Sequence, residues 1–194
     1  MKKVGVFLSR MQPIHNAHLW MIENALKEND EVLVIIGSAN RSGEKRNPFP
    51  IDIRKEIVEN AINKYFSDKE YSKDSIKVIT LVDWSSEQNN DDQEWGRLIY
   101  YNVVGNMEVK EFSYYCSEDP ELIKGWFEDE LKERINFRFF SRDNEFNGLS
   151  ATKIREAILN DDYEYIKEYC PLEVVIRKFD LKEMLENSTQ NKMK

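Results

Sequence analysis

The chain's two histidines fall within one short stretch, Ser9-Arg10-Met11-Gln12-Pro13-Ile14-His15-Asn16-Ala17-His18. His15 and His18 are three residues apart, so a helical turn can aim both imidazoles the same way. Arg10 lies just ahead of them. Together they offer hydrogen-bond donors and a fixed positive charge, which is the chemistry of a polyphosphate site. A second set stands in Gly148-Leu149-Ser150-Ala151-Thr152-Lys153-Ile154-Arg155. Ser150 is a natural N-cap ahead of the periodic apolar residues Ile154, Ala157 and Ile158. A helix start binds phosphate through its free N–H groups and its dipole. Arg155, one turn in, can reach the same anion.

These residues need elements to hold them. Val4-Gly5-Val6-Phe7-Leu8 is an apolar run long enough for a buried strand. Leu19, Ile22, Ala25 and Leu26 recur at helical spacing. The first set therefore sits at the carboxyl end of a strand, on the turn into a helix, where open parallel sheets bind ligands. Glu31-Val32-Leu33-Val34-Ile35-Ile36 reads as a second buried strand. It ends at Gly37-Ser38-Ala39-Asn40 and is followed by a polar loop, 41–50, which gathers Arg41, Lys45 and Arg46. A helix starting at Asp52 carries Ile53, Ile57, Val58, Ala61 and Ile62 on its apolar positions. A third strand, 76–82, leads to Asp83-Trp84. The acidic, amide-rich stretch 85–94 reads as a loop, and Trp95, Leu98, Ile99, Val103 and Val104 mark the next helix. Phe112 to Cys116 is a fourth strand, Asp119-Pro120 opens another helix, and Phe137 to Phe140 is a fifth strand.

Strand alternating with helix implies an α/β fold with right-handed crossovers. The expectation is one Rossmann-like domain over 1–186. It has a parallel sheet of five strands, or slightly more, flanked by helices and closed by C-terminal helices. The polar tail 187–194 is expected to fray.

Composition narrows the function. A chain of 194 residues can build one α/β core. A net charge of −8 argues against a general nucleic-acid binder, which would show a basic face. A small anionic substrate can still bind where basic residues converge. No apolar run is long enough to span a membrane. Met1-Lys2-Lys3 leads straight into a strand without the pattern of a secretory signal, so a cytoplasmic protein is expected. Cys116 and Cys170 lack metal-ligand spacing and are expected to be buried free thiols.

The histidine stretch resembles the HxGH signature of the nucleotidyltransferase superfamily shared with class I aminoacyl-tRNA synthetases. Arg10-Met11-Gln12-Pro13-Ile14-His15 is especially similar to the archaeal-type nicotinamide mononucleotide adenylyltransferases. Ala17 stands where the signature has glycine, and Ser9 stands where the family usually has glycine. Gly37-Ser38-Ala39 with Asn47-Pro48-Phe49 resembles the family's GSA…NPF segment, with Pro50 in place of the frequent threonine. The 148–155 stretch resembles the second superfamily signature, ISSTxxR. Tyr169-Cys170-Pro171-Leu172-Glu173-Val174-Val175 is similar to the family's closing helix.

The resemblance implies adenylyl transfer from ATP to nicotinamide mononucleotide, giving NAD and pyrophosphate. It assigns catalytic roles to Arg10, His15, His18 and Arg155. ATP would be met by Phe7, Ser9, Gln12, Arg46, Asn47, Ser150 and Thr152. Asp83, Trp84 and Trp95 would meet the mononucleotide, with the Trp95 indole suited to a flat cationic ring. Mg²⁺ would arrive through the substrate phosphates, without a protein metal site. Related enzymes assemble into oligomers, so a homo-oligomer is expected by analogy, with no nucleic acid and no membrane as partner. Two alternatives stay open: another transferase of the same fold, acting on pantetheine phosphate or transferring a cytidylyl group, and a non-catalytic nucleotide-binding regulator.

Overall fold

The computed structural model describes residues 2–71, 73–83, 92–141 and 146–190. Among them are five strands: β1 (Val4–Ser9), β2 (Glu31–Ile36), β3 (Ile76–Thr80), β4 (Phe112–Cys116) and β5 (Ile135–Phe139). They pair in parallel in the order β3-β2-β1-β4-β5, as expected of a Rossmann-like α/β sheet. The central strands β1 and β2 are apolar runs because helices cover both of their faces. The edge strands β3 and β5 are less buried and expose residues such as Lys77, Asn136 and Arg138.

The helices are α1 (Asn16–Glu28), α2 (Ile51–Tyr65), α3 (Asp92–Met107), α4 (Pro120–Gly125), α5 (Asp129–Lys132), α6 (Ala151–Leu159), α7 (Tyr163–Tyr169), α8 (Leu172–Ile176) and α9 (Lys178–Gln190). On one face of the sheet, Phe7, Val34 and Ile36 pack with Ile22 of α1, Val58 of α2 and Ile154 of α6. On the other, Val6, Leu33 and Tyr114 pack with Ile99 and Val103 of α3. Each fully buried aliphatic side chain contributes roughly 1.5–3 kcal/mol over its exposed state. A one-residue slip of β1 would exchange Val6 and Phe7 between the two cores, so packing fixes the register.

β1 continues outward through β2 and β3, and the chain then returns to β4 on the other side of β1. This reversal opens a crevice at the carboxyl ends of β1 and β4. The rim is held by single bonds that extend the ladders: Gly37 N–H to Ser9 O at 3.0 Å, Leu81 N–H to Ile36 O at 2.9 Å and Phe140 N–H to Cys116 O at 3.0 Å.

Several boundaries differ from the sequence reading. β5 begins at Ile135, before the expected Phe137, because Ile135 is buried and pairs with Phe112. β3 stops at Thr80, short of Val82, where the chain turns toward Asn40. α3 begins at Asp92, inside the expected loop 85–94; Trp84 and residues 85–91 of that loop lie outside the described residues. α9 runs to Gln190, past the expected start of a frayed tail at 187. The buried Ser188 hydroxyl donates to Leu185 O at 2.7 Å.

Both cysteines are buried free thiols. Burial pushes each up to about 12, with Glu118 adding to the effect at Cys116. Among the described residues no helix is long and apolar enough to cross a membrane.

Candidate functional site

His15 is the N-cap of α1, in extended conformation, and His18 lies one turn later. Their rings stack at 3.7 Å between centroids with an interplanar angle of 20°. His18 Nδ1 accepts the His15 backbone N–H at 3.2 Å. That bond fixes the tautomer of the neutral ring, because the accepting nitrogen carries no proton and Nε2 must carry it. The Nε2–H points to Ser9 Oγ at 3.1 Å. Phe7 packs its ring on His18 at 5.8 Å from the β1 side. The turn after β1 thus holds the His18 ring through both nitrogens where it lines the crevice.

The second set meets the first directly. Ser150 caps α6 by accepting from Lys153 N–H at 3.3 Å. Arg155 donates through Nη1 to Gln12 O at 2.8 Å and through Nη2 to Thr152 Oγ1 at 3.1 Å. One guanidinium therefore ties the start of α6 to the turn between β1 and α1. Gln12 is buried, and its amide is fully engaged with Phe49, accepting Phe49 N–H at 3.0 Å and donating to Phe49 O at 3.2 Å. Its side chain thereby staples the Asn47-Pro48-Phe49 segment to the same turn, rather than pointing freely into the cleft.

These residues line one cleft of about 860 Å³. It brings together Phe7, Ser9, Arg10, Gln12, His15 and His18 from the first set with Ser150, Thr152 and Arg155 from the second. Arg46, Asn47, Asp83 and Trp95 also line it. Every expected site residue that is described is there; Trp84 lies outside the described residues. Arg10 is held below the usual arginine range, first by desolvation in the cleft and then by Arg46, against the opposing pull of Asp83 and Glu118. Arg155 is lowered by burial, then by Arg10, with Arg46 contributing and Glu156 opposing. Like charges held this close favour an anion among them, and the cleft is a positive locus on a chain of net charge −8. Asn47 is buried, and its Oδ1 has no hydrogen-bond partner among the described residues, so it can accept from a ligand.

Aromatic side chains also line the cleft. Trp95 sits on the first turn of α3, partly packed against the core and partly lining the cleft with Trp126 and Leu122. The next residue, Gly96, lets α3 press on the backbone after α4: a Cβ there would lie 1.8 Å from Trp126 O. Asp83 is positioned through its backbone, with Asn40 Oδ1 accepting its N–H at 2.9 Å and Asn40 Nδ2 donating to its carbonyl at 3.1 Å. Asn40 and Trp126 are missing from the sequence-derived set. Asn40 lay in plain view at the end of the GSA segment; Trp126 gave no local signal, since only the fold brings it beside Trp95.

Among the described residues no group of three or more His, Cys, Asp and Glu side chains could hold a metal ion. The carboxylates lining the cleft are Asp83, Glu118 and Glu44, the last paired with Arg41, among several cationic groups. That donor set suits a cation delivered on phosphate oxygens better than one caged by protein.

Comparison with known proteins agrees with this geometry. A nicotinamide-nucleotide adenylyltransferase of Thermococcus onnurineus is 38% identical over 71 residues, which make up 37% of this chain and 38% of that protein. The match thus spans little more than a third of the archaeal relative. A phosphopantetheine adenylyltransferase of Francisella tularensis subsp. novicida is 27% identical over 188 residues, covering 94% of this chain and 98% of the relative. A crystal structure of a bifunctional NMN adenylyltransferase/ADP ribose pyrophosphatase from Francisella tularensis, complexed with AMP and manganese ion, shares the fold. Its TM-score is 0.60 at 21% identity, over 82% of this chain and 42% of that one. The model of the cytidylyltransferase-like family matches residues 6–157, from β1 through both residue sets of the cleft to α6, and the chain belongs to that family.

Proposed function

We propose that this chain is an adenylyltransferase that joins nicotinamide mononucleotide to the AMP moiety of ATP. The observation that carries this reading is the convergence of the His15–His18 turn and the Arg155 helix start on one cleft that Trp95 also lines. The mononucleotide phosphate oxygen attacks the α-phosphorus of ATP. The new bond is the phosphoanhydride of NAD, and the bond to the β-phosphate breaks with release of pyrophosphate. The nucleophile is already anionic near neutral pH, so no general base is needed; positioning and charge stabilisation do the catalysis.

In this reading the Nε2–H of His18 donates to ATP phosphate oxygen, taking its proton geometry from the His15 backbone. His15 supports it by stacking. Arg10 draws the two reacting phosphates together, Arg46 adds charge, and Arg155 with the α6 start holds the pyrophosphate end. Ser9, Phe7 and Gln12 shape the turn beneath the nucleotide; Ser150 and Thr152 shape the helix start. Trp95 faces the cationic ring, and Asp83 and Trp84 complete the acceptor end. Mg²⁺ carried on the phosphates would neutralise their charge. The same proposal includes cytoplasmic location and self-association.

A second reading has its own support, since the Francisella relative named for phosphopantetheine aligns over nearly the whole chain. The test is pyrophosphate release from ATP with nicotinamide mononucleotide, nicotinic acid mononucleotide and 4′-phosphopantetheine in parallel, at substoichiometric enzyme. Turnover with a pyridine mononucleotide supports the first reading. Turnover with phosphopantetheine alone replaces it, and no turnover with any acceptor, despite ATP binding, would favour a regulator.

A further inference from the structure

Arg54 lies on the first turn of α2 and is 2% exposed. Its guanidinium donates four hydrogen bonds, all to main-chain carbonyls. Nε reaches Phe49 O at 3.0 Å, Nη1 reaches Arg10 O and Gly37 O at 2.8 Å each, and Nη2 reaches Ser38 O at 2.9 Å. The four carbonyls belong to three separate segments: the turn after β1, the end of β2 and the residues leading into α2. Two of these segments hold non-glycine residues in the left-handed region. Met11 has φ 51°, directly after the Arg10 carbonyl, and Ser38 has φ 52° and carries one of the bound carbonyls itself. Such conformations persist only where the surroundings over-determine them.

We propose that Arg54 is the positioning residue of the phosphate site: it sets the place of Arg10 and of the Gly37–Ser38 rim by binding their carbonyls, without touching the nucleotide. A planar fork can serve carbonyls that converge from different directions; a lysine ammonium has fewer donors, gathered at one point. Burial brings Arg54 down to about 10, with Asp83 opposing and Arg10 adding to the effect, so the cation persists at neutral pH. The role rests on the polyphosphate reading of the cleft. Because Arg10 acts on the reacting phosphates, its displacement should lower turnover more than ATP binding. A misplacement near 1 Å can cost on the order of 10²-fold.

The experiment uses the full chain, ATP and nicotinamide mononucleotide, with Arg54→Lys and Arg54→Ala. Arg54→Lys should lower kcat about tenfold or more while the ATP KM stays within about threefold. Arg54→Ala should lose on the order of 10²-fold, and millimolar ethylguanidinium, which can enter the vacated space, should restore about tenfold. In hydrogen exchange, Arg54→Lys should speed peptides covering 9–13 and 37–41 and leave 4–8 and 32–35 unchanged. A folded Arg54→Lys protein with wild-type kcat overturns the proposal, as does an activity loss that only follows the unfolded fraction. Unchanged exchange at 9–13 also overturns it. If Arg54→Ala does not fold, Arg54→Lys decides. If the wild type releases no pyrophosphate, the functional reading fails, and the exchange result still judges Arg54.

Discussion

At the residue scale, two of the donors proposed to face phosphate, His18 and Arg155, are each held by contacts within the chain. His18 Nδ1 is occupied by the His15 backbone and Nε2 meets Ser9 Oγ, so the ring is oriented before any ligand arrives. His18→Ala should cut turnover by roughly 10²-fold with the melting temperature nearly unchanged, the usual loss for one preorganised donor. Wild-type turnover in the folded variant would remove His18 from the mechanism. Arg155 binds Gln12 O and Thr152 Oγ1 through two different nitrogens. Lysine cannot reproduce both, so Arg155→Lys should reduce kcat/KM for ATP by at least about tenfold. Full activity at ordinary ATP concentrations would rule out the forked contact. Trp95 both packs and lines the cleft. An indole face attracts a cationic ring by about 0.5–2 kcal/mol. Trp95→Ala should therefore raise the KM for the mononucleotide far more than that for ATP, and Trp95→Phe should recover part of it. Equal weakening of both substrates alongside a lower melting temperature would mean that Trp95 is only a core anchor.

At the element scale, α3 reaches the cleft because Gly96 lets it press against the chain after α4. Adding one methyl at Gly96 forces α3 outward. Gly96→Ala should destabilise by about 1–3 kcal/mol, lowering the melting temperature by several degrees in a chain of this size. It should also weaken mononucleotide binding through Trp95. A Gly96→Ala protein that melts like wild type would deny the close approach. Elements of this kind were legible in the sequence where burial is two-sided. β1 and β2 are unbroken apolar runs, and α6 announced itself by Ser150 before a periodic stripe. The edge strands were less legible, since β5 starts at Ile135 beside polar neighbours and its pairing with Phe112 is tertiary. Arg54 escaped the reading for the same reason: the carbonyls that hold it come from distant segments. Its one local signal was a charge on the buried stripe of α2, in line with Ile57, Val58 and Ala61.

At the scale of the whole molecule, the proposed function requires an acidic chain to hold a polyanion. Net charge −8 repels ATP at long range, while Arg10, Arg46 and Arg155 gather at one cleft between β1, β4 and α6. The balance between the two predicts how ligands stabilise the fold. A ligand at a hundred times its dissociation constant adds about 2.7 kcal/mol to the folded state. In a chain of this length that corresponds to about 5–11 °C in melting temperature. ATP should give such a shift, and adenosine at the same concentration should give less than about a third of it, because its phosphates are absent and the three arginines stay unneutralised. Added salt discriminates further. Screening over about 10 Å at 0.1 M weakens charge interactions and leaves stacking and apolar contact nearly untouched. Raising sodium chloride should therefore shrink the ATP-dependent shift and leave the adenosine shift almost constant. A thermal scan of the chain with each ligand, at low and high salt, measures all four values. If adenosine protects as well as ATP, or if salt lowers both shifts equally, the arginine cluster is not what binds the nucleotide, and the cleft must recognise its ligand through the nucleoside instead.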